Sequence, residues 1–465
     1  MSSWLVAAPW LSARTIHAYY FVLRYGERGL MRVAMIRVLL LMTAAAVAVV
    51  AVNVAAADEA IVIDGGTLID VGRPELTGPA TIIIEQGRIR AVGPAGELEW
   101  PAGARIIDAR GSYVMPGIAD MHNHLRDGLF RQGGDQAGVL RNLLSWGITT
   151  TFNPGVPVEE YAALRSAIAA DPAAYPQTFL IRGVFTTKGG WGNGFTPETP
   201  AEARAIVLQL KAAGSDGVKL MYDDMRWATT RPFPVMDRAV AAAIIDEAHK
   251  QGMLAFAHAP IQELAKQVLE DGIDCLLHGI ISEPIDAEFI ELMKRNNACY
   301  ISTLTMFQTN AGYAEWADRL KAFDFEKRLD SNALAIFHKA PNGTARLDNT
   351  DWTVERLPVL RLNLFTANSA GIPVVIGTDT GIPGVLPGIA AQLEMVMHVE
   401  AGLTPEDVLK AATSNPALMF GRAGQFGTLA PGAQADLLIL NADPRRNIEN
   451  IRRIRHVIRA GRVVR

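Results

Sequence analysis

The middle of the chain alternates short apolar runs with helical patterns, and that rhythm limits the possible folds more than any other feature. Strand candidates stand at 115–120, 148–152, 179–184, 216–221, 253–257, 274–277, 299–303 and 373–377. Between several of them apolar residues recur at helical spacing, as in "TPAEARAIVLQLKAAG" and "VMDRAVAAAIIDEAHKQG". Strands that alternate with helices pair in parallel, and eight of them over roughly 300 residues predict a (β/α)8 barrel. A composition that is 49% hydrophobic is ample for a core of that size. The connection from 304 to 355 is longer than a barrel loop needs and holds Tyr313, Trp316 and Trp352. A lid over the site and an inert surface excursion are both open readings of it.

The flanks follow a different period. "AIVIDGGTLIDV", "ATIIIEQGRIRAVG" and "ARIIDARGSYVMPG" near the start, and "GTLAPGAQADLLILNAD" and "IRHVIRAGRVVR" at the end, read as short strands with Gly-rich turns. The two ends are expected to share one small β-sandwich, built from 58–113 plus 425–465, with the barrel over 114–424 inserted between them.

In a barrel of this kind the chemistry sits at the carboxyl ends of the strands. The first strand ends in "MHNHL", where His122 and His124 stand two apart and project to one side. The fourth carries Lys219, the fifth ends in His258, the sixth in His278 and the eighth in Asp379. Each alone is weak: a lone buried histidine is usually a satisfied core residue, and a strand-end aspartate often caps a helix. Lys219 stands out, because an unpaired amine inside an apolar strand carries a heavy desolvation cost. Carbon dioxide removes that cost by converting the amine to an anionic carbamate. Metal-binding residue types at five different strand ends form a strong constellation.

"PGIADMHNHL", "GVKLM", "FAHA", "LLHG" and "GTDT", in this order, resemble the amidohydrolase superfamily. "GLTPEDVLKAATSNPALMFG" and "GTLAPGAQADLLILNADP" resemble its C-terminal signature, so the likeness spans roughly residues 60 to 465. It implies a distorted (β/α)8 TIM barrel with a β-sandwich from the two ends, in the carboxylated-lysine, two-metal branch with the imidazolonepropionase-like and Xaa-Pro dipeptidase-like members. Carried over, His122, His124 and Asp379 hold one divalent metal ion and His258 and His278 the other, with carboxylated Lys219 bridging them. Zinc is the default for such ligands, with manganese or iron as alternatives. The implied reaction is hydrolysis of an amide bond, in a peptide or an N-acyl amino acid, by a metal-bridging hydroxide. Asp379 serves as base and then acid.

Departures from the family pattern cluster in the loops that shape a pocket. The strand-four lysine opens "KLMYDDMRW" where dipeptidase-like members usually carry a Gly-rich segment, and "TTKGGWGNGF" offers Trp191 where several relatives offer a histidine. "TTTFNPG" lacks a common arginine–aspartate pair. Tyr222, Arg182, Trp191 and Arg126 are the candidate substrate-binding residues. For Tyr222 a core position against a helix is the competing reading, and for Arg182 a structural salt bridge. The nearest enzymatic alternative is a cyclic amide or lactone hydrolase with the same metals. A deaminase fits less well, because its glutamate three residues after the strand-five histidine is here Ile261. A non-catalytic binding protein on this fold would have shed metal ligands, and none is missing.

Net charge is −4 with no basic run, which argues against nucleic acid. The expected partner is a small-molecule amide or peptide, with no stable membrane partner beyond the leader and a homo-oligomer as a candidate state. "MRVAMIRVLLLMTAAAVAVVAVNVAAADEA" reads as a signal peptide ending at Ala57, with an uncleaved membrane anchor as the alternative. Residues 1–30 resemble no usual leader, so Met31 or Met35 is the expected start. Removing 1–57 leaves 39 basic against 47 acidic residues. The expected location is the bacterial periplasm or the medium. Cys275 and Cys299 lie in apolar strand-like runs, and buried free thiols are the expectation for both.

Overall fold

The computed structural model describes residues 60–465 apart from 76, 126–135, 322–348 and 383. The expected leader over 1–57, and Arg126, lie outside the described residues. β1 (Ile61–Ile69), β2 (Thr77–Glu85) and β3 (Arg88–Pro94) form an antiparallel meander, and β4 (Arg105–Asp108) and β5 (Tyr113–Pro116) run parallel to β1. Their alternating apolar side chains, among them Ile63, Ile82 and Val114, bury one face.

Eight parallel barrel strands follow. They are β6 (Ile118–Asp120), β7 (Ile148–Val156), β8 (Gln177–Arg182), β9 (Gly217–Met221), β10 (Leu254–His258), β11 (Cys275–Leu276), β12 (Cys299–Ile301) and β13 (Val374–Val375). All eight coincide with runs picked out by apolar pattern. Strands β6 to β8 pair in sequence order, as do β9 to β13. Backbone hydrogen bonds join the two groups at both seams. Asp216 N–H donates to Leu180 O at 3.0 Å, and Met121 N–H to Ile376 O at 2.8 Å. Helices at Pro200–Ala212, Arg238–Lys250, Gln262–Glu270 and Ala287–Arg295 follow their strands.

Period-two alternation sorts the barrel residues into two cores. Met121, Phe152, Phe179, Phe256 and Ile301 fill the lumen, while Leu180, Val218, Leu220 and Ala257 face the helices. After the barrel the chain returns to the first sheet. β14 (Leu437–Leu440) pairs antiparallel with β5, β15 (Ile454–Arg459) with β14, and β16 (Arg462–Val463) with β15. The two ends therefore share one sheet.

One expectation needs correction. Cys275 and Cys299 are not free thiols but a disulfide, with Cα atoms 4.5 Å apart. They stand opposite each other on neighbouring strands β11 and β12, both pointing into the lumen. Sequence separation hides that adjacency, because parallel register alone creates it. The described parts of the long connection after β12 carry helices at Leu304–Ala311, Tyr313–Lys321 and Thr350–Ser369. Trp316 is fully buried, and its indole N–H donates to Gly384 O at 2.7 Å. The remainder, 322–348, lies outside the described residues.

Candidate metal centre

The carboxyl ends of β6, β9, β10, β11 and β13 bring His122, His124, Lys219, His258, His278 and Asp379 to one rim. His122 is fully buried, and its Nδ1 lies 2.9 Å from the Leu277 carbonyl. A carbonyl only accepts, so Nδ1 carries the hydrogen and Nε2 keeps its lone pair. That Nε2 is 3.4 Å from Asp379 Oδ1 and 3.5 Å from Lys219 Nζ. His124 Nε2 lies 3.0 Å from the same Asp379 oxygen. The His122 and His278 ring centroids are 4.8 Å apart, and those of His258 and His278 are 4.3 Å apart. His122, His278 and Asp379 each offer a ligand atom within 4.8 Å of the others.

The backbone around these side chains is tightly specified. Asp379 adopts a left-handed conformation, φ 59°, which a non-glycine residue holds only where its surroundings impose it. Its N–H donates to His122 O at 2.7 Å. Just before it, Gly377 packs so closely on His122 that an added Cβ would lie 2.9 Å from the histidine Cβ. Any larger residue there would push the first and eighth strands apart.

Three supporting residues escaped the sequence reading. Asp120, at the end of β6, accepts from Thr378 Oγ1 at 2.9 Å and from Thr378 N–H at 3.2 Å. It thereby ties His122 to the turn that carries Asp379. Burial pushes its carboxyl up to about 7, against the donors of Thr378, His122 and Asn123. An acid within the apolar run "PGIADM" was the available signal. Thr303 Oγ1 lies 2.9 Å from His278 Nδ1. Thr303 is itself left-handed at φ 47°, and the next two N–H groups, Leu304 and Thr305, donate to buried Glu394 at 2.8 and 2.7 Å. Nothing near Glu394 or Thr303 in sequence announces that partnership.

The electrostatics suit a cation. Burial holds the His122 and His278 imidazoles well below their usual range, so both are neutral, the form that ligates metals. Burial pushes the Lys219 amine down to about 8, against the pull of Asp379. Burial also pushes the Asp379 carboxyl up, but His122, His124 and Lys219 outweigh it and hold it well below the usual carboxylate range. Neutral imidazoles with one nitrogen tied back, beside an anionic carboxylate, form a donor set that fits a divalent metal.

The candidate substrate residues separate. Tyr222 shares the outward parity of Val218 and Leu220, and its hydroxyl donates to Gln267 Oε1 at 2.7 Å on the covering helix. It is a core residue against a helix, the competing reading of this position. Arg182 has the parity of Leu180 and lies near the Tyr161 phenol in the helical layer. Trp191 is 42% exposed in the loop after β8 and meets Phe233, from the loop after β9, edge-on at 5.8 Å. Of the three described candidates, Trp191 alone stands on the loops of the site-bearing face.

Residues 113–464 match the profile of the amidohydrolase family. An imidazolonepropionase of Geobacillus kaustophilus is 26% identical over 411 residues, 83% of this chain and 89% of the relative. A dihydroorotase of Anaeromyxobacter dehalogenans is 26% identical over 424 residues, with the same two coverages. Among solved structures, a Xaa-Pro dipeptidase with bound methionine superposes with a TM-score of 0.71 at 21% identity. That match covers 87% of this chain and 99% of the dipeptidase, and it shows a shared fold.

Proposed function

The chain belongs to the amidohydrolase family and is an enzyme acting on carbon–nitrogen bonds; on that premise we propose a binuclear metal-dependent hydrolase of a small amide, a dipeptide or an N-acyl amino acid. The observation that carries this reading is the convergence of His122, His124, Lys219, His258, His278 and Asp379 on one barrel rim. His122, His124 and Asp379 would hold one divalent ion and His258 and His278 the other, zinc being the default. Two such ions supply positive charge that acidifies a water and polarises the scissile carbonyl.

The residues of the chain do the rest. Lys219 Nζ, buried among ligand atoms, would repel cations as an ammonium. As the neutral amine, it adds to the carbon of carbon dioxide with release of one proton and becomes an anionic oxygen donor. Asp379 takes the proton from the attacking water and passes it to the leaving nitrogen as the carbon–nitrogen bond breaks. Its left-handed backbone, pinned to His122, fixes the turn that carries the carboxylate.

A second reading keeps the same residues and moves the reaction to the ring carbonyl of a cyclic amide or a lactone. The relatives named imidazolonepropionase and dihydroorotase favour it. One experiment separates the two. The purified chain, loaded with zinc and bicarbonate, is assayed against dipeptides, N-acyl amino acids, cyclic amides and lactones, beside Asp379→Asn. Turnover of one linear class, absent in the variant, supports the first reading. Turnover of rings alone supports the second, and no metal-dependent turnover in any class overturns both.

We also propose that the protein is exported. The Cys275–Cys299 disulfide supports this, since such bonds persist in oxidising compartments. Cell fractionation tests it: recovery of the protein only in the cytoplasm, with reduced cysteines, would overturn it.

A further inference from the structure

The segment "MYDDMRW", which runs on from the end of β9, places a carboxylate behind one of the candidate ligands. Tyr222 N–H donates to His258 O at 3.0 Å, so the pairing of β9 with β10 continues one residue past the strand. Asp223 then resumes the inward parity of Lys219. Its Oδ2 lies 3.0 Å from His258 Nε2 and 2.8 Å from Trp227 Nε1. All three residues are buried.

The hydrogens can be assigned. An indole N–H only donates, so Asp223 Oδ2 accepts there. His258 Nε2 shares the same oxygen as a second donor, which leaves its Nδ1 with the free lone pair. Trp227 is fixed in turn: its carbonyl accepts from Thr353 Oγ1 at 2.8 Å, and its ring meets Phe307 at 5.1 Å. The other carboxylate oxygen, Asp223 Oδ1, is buried without a hydrogen-bond partner among the described residues. A buried carboxylate left half-satisfied is costly unless positive charge lies close by. The Arg226 guanidinium interacts with Asp223, and a cation on the far side of the His258 ring would add to that charge.

We propose that Asp223 is a positioning residue of the metal centre. It fixes His258, through the charge-assisted hydrogen bond, in the Nε2–H tautomer, so that Nδ1 is the nitrogen offered to the metal. This rests on His258 being a ligand, as the proposed function holds.

The test uses the full chain and reads the imidazole and the metal directly. Nitrogen-15 NMR of the metal-free protein, with His258→Gln used to assign the resonance, reports the tautomer. The expected result is Nε2–H in the wild type; Nδ1–H there overturns the proposal without any Asp223 variant. Cobalt(II) titration followed by visible absorption and metal analysis then compares wild type, Asp223→Asn, Asp223→Ala and His258→Gln. The expectation is two ions in the wild type and one ion bound about 10- to 100-fold more weakly in Asp223→Ala. Asp223→Asn, which keeps an acceptor oxygen, should lie between them. Wild-type affinity in both Asp223 variants, while His258→Gln loses an ion, overturns the positioning role alone. Full cobalt binding by His258→Gln overturns the ligand assignment and the Asp223 proposal with it. Loss of an ion from Asp223→Asn as complete as from His258→Gln would make Asp223 a ligand, which also overturns positioning.

Discussion

Reduction of the Cys275–Cys299 bond should lower the thermal midpoint by an amount the structure sets. The bond closes a loop spanning 24 residues. The loop-closure relation gives about 3.4 kcal/mol of stabilisation for a loop of that length. For a chain of roughly 400 folded residues the unfolding entropy is about 0.85 kcal/mol per kelvin, so the midpoint should move by about 4 °C. Reductant added to the folded protein will act slowly, because both cysteines face the barrel lumen and are buried. The comparison therefore sets oxidised protein against the same sequence expressed and purified in reductant, by scanning calorimetry at matched scan rates. Alkylation after denaturation should label no thiol in the first sample and two in the second. Two labelled thiols in the unreduced sample, or midpoints equal to within a degree, would refute the reasoning. The bond lies in β11 and β12, the strands that lead to His278 and Thr303, so metal affinity should weaken in the reduced sample as well.

Other outcomes follow from the centre itself. Asp379→Asn should abolish turnover while circular dichroism and the melting midpoint stay close to wild type; residual activity above a few percent would count against its proton-transfer role. Thr303→Val removes the hydroxyl that holds His278 Nδ1 and should weaken one metal ion by about 10- to 100-fold, read by competition with a chromophoric chelator. Dialysis against a chelator should silence the enzyme, and zinc should restore it fully only when bicarbonate is present, if Lys219 is carboxylated; equal recovery without bicarbonate would argue against the carbamate. Away from the site, the hydrogen bond that His249 donates to the Asp274 carboxylate raises the His249 pKa. Its contribution to stability is complete below the unfolded value of about 6.5 and is lost as pH rises through the folded value. His249→Asn should therefore melt below wild type at pH 5.5 and converge on it by pH 9.

What the sequence revealed and what it hid divide along physical lines. All eight barrel strands were visible because each is an apolar run whose pattern is local, although β11 and β13 shrink to two residues each. The six candidate ligands were visible because the fold class alone says that strand ends share a rim. Features that depend on which side of a strand a residue faces were harder. Tyr222 and Arg182 follow the outward parity of their strands, and a shift of one position would have turned them inward. Features that depend on register between strands were invisible: the cysteine pair, Asp120 against Thr378, and Glu394 beneath the turn after β12. Asp223 was on the page, but its value lies in meeting His258 from the neighbouring strand.

The Asp120–Thr378 latch joins positions 258 residues apart. Bringing such distant segments together carries a loop-closure cost that nothing local offsets, so this contact belongs late in assembly. His122 and Asp379 sit beside the latch, on the first and the last strand of the barrel. No fragment ending before residue 379 contains all six candidate ligands. Metal acquisition thus becomes a certificate of completion: a molecule that holds its ions is one whose barrel has closed.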